Sequence, residues 1–284
     1  PAALTSFAER KRLFELPRSG WNDYDKSLIS KGGGVFERSA KKITLSHESR
    51  DMLGIDREEV SGEELVRMLL SLDVHLLWNG GIGTYVKAAS ETHSDVGDKA
   101  NDGVRIDARA LRCKVVGEGG NLGFTQQARV EFALLGGRIN TDAVDNSGGV
   151  DLSDHEVNLK ILFAPLLERG EIDMATRNKV LFSVDDAVCD KVLINNDQQA
   201  LGLSLSQART SRGVRSFDPV IRFLCEELGI DRDLQMLPAM SVLQERHHSG
   251  LPLTRPELAR IGSFAKMWIY EHLVSDPDAS RHVA

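Results

Sequence analysis

Two short apolar runs that each break into a glycine-rich polar loop constrain the fold more than any other feature of this sequence. Val74-His75-Leu76-Leu77-Trp78 passes into Asn79-Gly80-Gly81-Ile82-Gly83, and Lys114-Val115-Val116 passes into Gly117-Glu118-Gly119-Gly120-Asn121. Runs of this length, rich in β-branched and aromatic residues and bounded by glycine, read as buried parallel strands. Helical patterns lie between and after them, including one that opens at Ser61 with Glu64 at capping-box spacing and runs to about Ser71. A third short strand is expected at Arg138–Asn140. Strand, helix, strand in alternation predicts an α/β fold with a parallel sheet. The loops then fall at the carboxyl edge of the strands, where open α/β sheets bind ligands.

The rest of the chain frames this stretch. Thr5–Leu16 reads as a helix with Ser6 and Glu9 at capping-box spacing and with Phe7, Leu13 and Phe14 on one side. Trp21–Asp25 makes a short turn of helix, and Gly32-Gly33-Gly34 a loop. Ser46–Leu53 is a helix stopped by Gly54. After Ser153 strand signals fade, and helices are expected at about 154–169, 174–184, 186–207, 218–228 and 254–274. The last opens with Thr254-Arg255-Pro256-Glu257, a capping box with proline in the first turn. A boundary near Gly170 divides the chain into residues 1–170, the sheet part, and 171–284, an all-α part. The tail Ser275-Asp276-Pro277-Asp278 reads as a frayed end.

Charge and composition exclude several function classes. With 35 Lys and Arg against 42 Asp and Glu, the net charge is −7, which argues against a general nucleic-acid or anionic-membrane binder. Basic Arg10-Lys11-Arg12 is short and reads as a solvated helix face. No apolar run approaches the ~18 residues of a membrane span. Three widely spaced cysteines, Cys113, Cys189 and Cys225, without a CxxC, fit buried free thiols in a reducing cytoplasm. The first residues, Pro1-Ala2-Ala3, lack an initiator Met, so the chain reads as a piece of something longer.

Several residues invite a chemical role. The glycine loop after Trp78 lets a flat ligand approach the backbone, and Asn79 offers an amide donor and acceptor. A plain turn explains the same residues equally well. The spacing is wrong for a kinase glycine loop, and no P-loop lysine follows the Gly32 triplet. Asp142, Asp145, Asp151, Asp154, His155 and Glu156 match neither a calcium loop nor a zinc helix, and acids at a helix start are favoured by the helix dipole. No metal site and no Ser/His/Asp or Cys/His arrangement is assigned. Asp145-Asn146-Ser147-Gly148-Gly149-Val150 reads as a second polar loop before a helix. Ser153, at capping-box spacing from Glu156, reads as the N-cap of that helix, and a helix start rich in free amides is also a natural carboxylate site, so the two roles can coexist on neighbouring groups.

Taken together, Trp78-Asn79-Gly80-Gly81, Glu118-Gly119-Gly120-Asn121 and Asn146-Ser147-Gly148-Gly149-Val150 resemble the glutamate dehydrogenase family, and most closely its large, NAD-specific bacterial branch. Leu77–Val86, Val115–Gln126, Thr141–Asn158 and Leu253–Ala259 carry the same resemblance, and Ser153 stands seven residues after Asn146 as the family's substrate serine does. Gly120 and Ser147 replace alanines of the small hexameric enzymes. The resemblance implies the latter part of a Rossmann-like NAD domain followed by a helical domain, and oxidative deamination of L-glutamate to 2-oxoglutarate and ammonia. It implies that Asn79, Gly80, Gly81 and Asn121 line the cofactor and that Asn146 holds the nicotinamide amide and the amino-acid end of the substrate. Val150 would pack on the substrate chain, and Ser153 would bind its side-chain carboxylate with helix-start amides sharing the charge. The family's glycine fingerprint, substrate lysine, catalytic lysine and catalytic aspartate have no counterpart here. No catalytic residue is therefore assigned, and the expectation is a fragment inactive alone, from a cytoplasmic homo-oligomer. The rival reading is a non-catalytic nucleotide-binding or assembly module on an α/β scaffold.

Overall fold

The computed structural model describes residues 2–276 and 278. Helix α1 (Ala3–Glu15) leads into a 3₁₀ turn at Trp21–Asp23 and then to a small unit of β1 (Ile43–Thr44), α2 (His47–Leu53), β2 (Glu59–Val60) and α3 (Gly62–Leu70). The antiparallel pair β1–β2 and the two helices enclose Ile43, Leu45 and Val60. Ser46 caps α2 by accepting from Ser49 N–H, and Gly54 ends it in the left-handed region at φ 69°. At α3 the Ser61–Glu64 capping box forms in full.

Next come β3 (Leu76–Asn79), β4 (Val86–Lys87), α4 (His93–Val96), β5 (Ile106–Asp107), β6 (Val115–Glu118) and α5 (Gln126–Leu134). Strands β3 and β6 are parallel, with Leu76 opposite Val115 and Asn79 opposite Glu118. β4 and β5 are a second parallel pair. Their inward residues Val86, Ile106, Val116, Phe124, Ala128, Phe132 and Ile139 form one core. α6 (Asp142–Asp145) and then α7 (Ser147–Glu168), α8 (Met174–Ser183), α9 (Asp185–Gly213), α10 (Asp218–Leu228), α11 (Met240–His248) and α12 (Arg255–Ser275) complete the chain. Ile221, Leu224, Leu243, Leu253 and Leu258 form the core of the last part. The architecture is α/β with small parallel pairs and a helical C-terminal part. No strand follows β6 among the described residues, and none of their helices is long and apolar enough to cross a membrane.

Five expectations are corrected. α1 starts at Ala3, so Ser6 lies in its first turn and its N–H bonds Ala2 C=O. Its buried edge is Glu9 with Leu13, one turn apart, while Phe7 and Phe14 are exposed. β3 is parallel as expected but not buried: Leu76 and Trp78 face outward, and only the opposite face meets the core. The run at Arg138–Asn140 contributes a single bridge, to Val115, because its backbone peels away to enter α6. Asn146–Val150 is not a loop. Of the thiols, Cys113 is buried and Cys225 half-buried, whereas Cys189 is exposed on α9. Burial pushes the first two up from the usual thiol range. His247 and His248 lie exposed on α11. Ser275 closes α12, while Pro277 of the expected frayed tail, like Pro1, lies outside the described residues.

Glu9 shows why a carboxylate takes an inward position on α1. It accepts two bonds from Arg12, at 2.7 and 2.6 Å, and one from Asp25 N–H at 2.7 Å, tying the helix to the turn that follows. The Arg12 bond, then the Asp25 amide, lower its pKa from 4.5 to about 2. A carboxyl depressed by folding stabilises the fold above its ordinary value and loses that contribution as pH falls through the folded one. The α1–turn contact is therefore expected to be intact above pH 4.5 and to loosen progressively toward about pH 2. Hydrogen exchange at Asp25 N–H across that window reports it, and Glu9→Gln should remove the pH dependence. An unchanged profile in Glu9→Gln would refute the assignment.

Candidate functional site

The carboxyl ends of β3 and β6 lie side by side, so the loops that follow them are neighbours by construction. Gly120 N–H bonds Asn79 C=O at 2.9 Å across the pair. This approach depends on glycine: a Cβ on Gly120 would sit 2.4 Å from Gly81 C=O. Trp78 lies flat over Gly117 and Gly119, where added Cβ atoms would stand 2.6 and 2.5 Å from its ring. The Asn79 Nδ2 is buried without a partner, while its Oδ1 makes a long 3.4 Å contact to Gly81 N–H. A Cβ on Gly123 would meet that orphan amide at 1.7 Å. An unpaired buried donor beside closely approaching glycine loops is the provision a planar, hydrogen-bonding ligand requires.

The second wall comes from the start of α7. Asn146 is both the last cap of α6 and the residue before α7. Its Nδ2 donates to Asn121 Oδ1, joining the two walls. Asn121, Asn146 and Val150 line one cavity of about 910 Å³ with Ser147, Asn196 and Lys266. Gly80 and Gly81 stand exposed on the neighbouring loop, and Ser153 does not line the cavity. The structure thus brings Asn79, Gly80, Gly81 and Asn121 together on one edge and links them to Asn146 and Val150.

Ser153 needs a correction. α7 begins at Ser147, so Ser153 lies in its second turn and cannot be an N-cap, and the helix start lies around Ser147, where Gly149 N–H is bonded to Asn146 C=O at 3.1 Å. The glycine pair that reads as a loop is helical. Gly148 packs against α9, where a Cβ would meet Asn196 Nδ2 at 3.5 Å and Val192 at 3.8 Å. Ser147 locks the same contact, donating to Asn196 Oδ1 at 2.5 Å and accepting from Gln199 at 3.1 Å. Counted along the helix, Asn146, Val150, Ser153 and Val157 follow one stripe. Val150 is 62% exposed and Val157 49%, and Ser153 is exposed with them.

Beneath both walls runs a charged network that the sequence reading missed. Glu118, the last residue of β6, is fully buried and held by both prongs of Arg129 from α5, at 2.7 and 2.9 Å. Burial pushes the Glu118 carboxyl up, against the pull of the Arg129 guanidinium. Arg129 also stands 3.2 Å from Asp142. Asp142 accepts from Leu122 N–H at 2.8 Å, fixing the positive-φ residue next to Asn121. Asp145 accepts from Glu118 N–H at 2.9 Å and from the Asn140 amide at 2.8 Å. The acids that invited a metal reading are thus partly engaged as acceptors for the loop backbone. Their spacing at a helix start was visible in the sequence, but nothing local marked Arg129 as their partner.

Removing Arg129 leaves a buried carboxylate unpaired, which costs about 3–5 kcal/mol. Arg129→Met should lower stability by that amount in equilibrium denaturation, and Arg129→Lys by less, since an ammonium meets one carboxylate oxygen at a time. A loss below about 1 kcal/mol in Arg129→Met would show that Glu118 is not held as a charged pair.

Comparison with known proteins adds the following. The family model described as "Bacterial NAD-glutamate dehydrogenase, catalytic domain" matches residues 1–206. The NAD-specific glutamate dehydrogenase of Pseudomonas aeruginosa is 51% identical over 274 residues, which cover 96% of this chain and 17% of that protein. The NAD-specific glutamate dehydrogenase of Halomonas elongata is 46% identical over 288 residues, covering 100% and 18% respectively. That of Mycobacterium tuberculosis is 48% identical over 283 residues, covering 97% and 17%. The chain therefore spans about a sixth of the length of the curated relatives it matches.

Proposed function

The chain belongs to the bacterial NAD-glutamate dehydrogenase catalytic-domain family, and on that premise we propose that it forms the cofactor and substrate wall of an enzyme converting L-glutamate, NAD and water to 2-oxoglutarate, ammonia and NADH. The observation that carries this reading is the Asn146–Asn121 hydrogen bond, which joins the two glycine-lined segments at the carboxyl edge of a parallel strand pair. NAD, when bound, supplies the hydride acceptor. The residues fit it: the orphan Asn79 amide offers a donor, and Gly80 and Gly81 leave the backbone open; Asn121 would reach the ribose side. Asn146 orients the nicotinamide amide and the amino-acid end of the substrate. Val150 packs on the aliphatic chain, and the Ser153 hydroxyl donates to the side-chain carboxylate from the same helix stripe. In this reading residues 1–170 are the latter part of a Rossmann-like domain and 171–284 a helical domain. The full-length protein is a cytoplasmic homo-oligomer, and the chain alone is inactive because the groups that move protons lie elsewhere in it.

A glutamate-dependent NADH assay on the chain and on the full-length protein, side by side, tests this. The full-length protein should turn over and the chain should not. Full-length protein without glutamate-dependent activity would favour a non-catalytic nucleotide-binding or assembly module. In the full-length enzyme, Asn146→Ala strips a hydrogen bond from a ligand group enclosed by the site, a loss of roughly 1–3 kcal/mol, or about five- to a hundred-fold in turnover. Normal turnover would sink the role given to Asn146. Ser153→Ala should raise the Michaelis constant for glutamate while leaving thermal stability within about 0.5 kcal/mol, as for other exposed substitutions. A change in stability alone would assign Ser153 to the helix rather than to the substrate.

A further inference from the structure

Arg255 lies beyond the segment matched by the family model, which ends at residue 206, yet from the first residue of α12 it reaches Asn140, a partner of the Asp145 that precedes Asn146. Its Nε donates to Asn140 Oδ1 at 2.7 Å, and its Nη1 contacts Ser204 of α9 at 3.1 Å. The other end of the Asn140 amide donates to Asp145 Oδ1 at 2.8 Å. The amide is therefore clamped, oxygen toward a cation and nitrogen toward an anion, which fixes its orientation. Asp145 in turn accepts Glu118 N–H at 2.9 Å and directly precedes Asn146, whose amide bonds Asn121. From Arg255 to Asp145, every link in this line is charged or is an amide between charges.

We propose that Arg255 is a positioning residue that sets the place of Asn146 by clamping Asn140 against Asp145, so that the helical C-terminal part completes the substrate wall. The inference rests on the function proposed above. α12 does not depend on Arg255 for its seat. Leu253 and Leu258 are buried in the C-terminal core, Gln126 donates to Pro256 C=O at 3.1 Å, and Glu257 pairs with Arg246 at 2.6 Å. Loss of the guanidinium should thus release the Asn140 amide without unseating the helix. A misplacement of about 1 Å in a substrate-holding group is enough to cost up to about a hundredfold in rate.

The test uses the full-length enzyme with Arg255→Met, Asn140→Ala, the double variant and Arg255→Lys, with thermal midpoints recorded for each. A charge-assisted hydrogen bond of this kind corresponds to about tenfold, so each single variant should lower kcat by that order with the Michaelis constant for NAD changed by less than about twofold. Because both act through one amide, the double variant should be no worse than the poorer single one. Arg255→Lys, which keeps a cation near Asn140, should recover part of the loss. Multiplicative losses in the double variant, or losses that follow the thermal midpoint, overturn the proposal. If the wild-type enzyme is active and Arg255→Met stays within about twofold of it, this inference alone fails. If the full-length wild type shows no glutamate-dependent activity, the functional reading fails and carries this one with it.

Discussion

The buried pair Glu118–Arg129 is the constraint on which the site depends. A carboxylate at the end of β6 with no solvent contact needs a partner that satisfies both oxygens, and only a guanidinium does so in one plane. Once Arg129 is committed from α5, the helix cannot rotate without uncovering the charge. Its approach to Asp142 then fixes the start of α6, and Asp142 and Asp145 hold the backbone of the Asn121 segment through Leu122 and Glu118 N–H. Ion pairs of this kind contribute little net stability against an apolar substitute of similar volume. What they supply here is a defined geometry at a point where glycine loops would otherwise be free to move.

Three separate cores are found among the described residues. The small N-terminal core around Ile43, Leu45 and Val60 shares no residue with the sheet core around Val86, Val116 and Phe132, or with the helical core around Ile221, Leu243 and Leu253. Polar contacts bridge the sheet and helical cores, Gln126 to Pro256 C=O and Arg255 to Asn140, beside Val144 of α6, which packs on the helical core. Polar contacts are directional, so they specify an angle between elements where apolar packing would allow sliding.

Local signals account for what could be read from the chain. Capping boxes at Ser61 and Thr254 and the left-handed Gly54 mark helix ends with a few neighbouring residues, and the strand–glycine–helix order at Trp78 and Val116 yields parallel neighbours with their loops adjacent. Non-local requirements stayed hidden. Gly148 and Gly149 carry the composition of a loop but belong to α7, where Ser147 is held against α9 by Asn196 and Gln199, some fifty residues later. Glu9 looked like a cap residue and is instead a buried tether to Asp25. The partner of Glu118 could not be inferred, since nothing about a lone arginine in a helix says which carboxylate it faces.

The helical start of α7 also changes how charge is handled at the proposed substrate wall. With Ser147 leading the helix, its positive dipole end sits beside Asn146 and not beside Ser153, one to two turns on. The dipole therefore favours an anionic group at the Asn146 end, where the amino-acid end of the substrate is proposed to lie. Ser153 is left with one neutral hydroxyl among Asp154, Glu156 and a lysine, Lys160, that is already bonded to Glu156. A carboxylate drawn from water needs a full countercharge, which a hydroxyl does not provide. Arg177 of α8 also acts on Glu156 from the neighbouring helix, so in the proposed reading the serine contributes direction rather than charge.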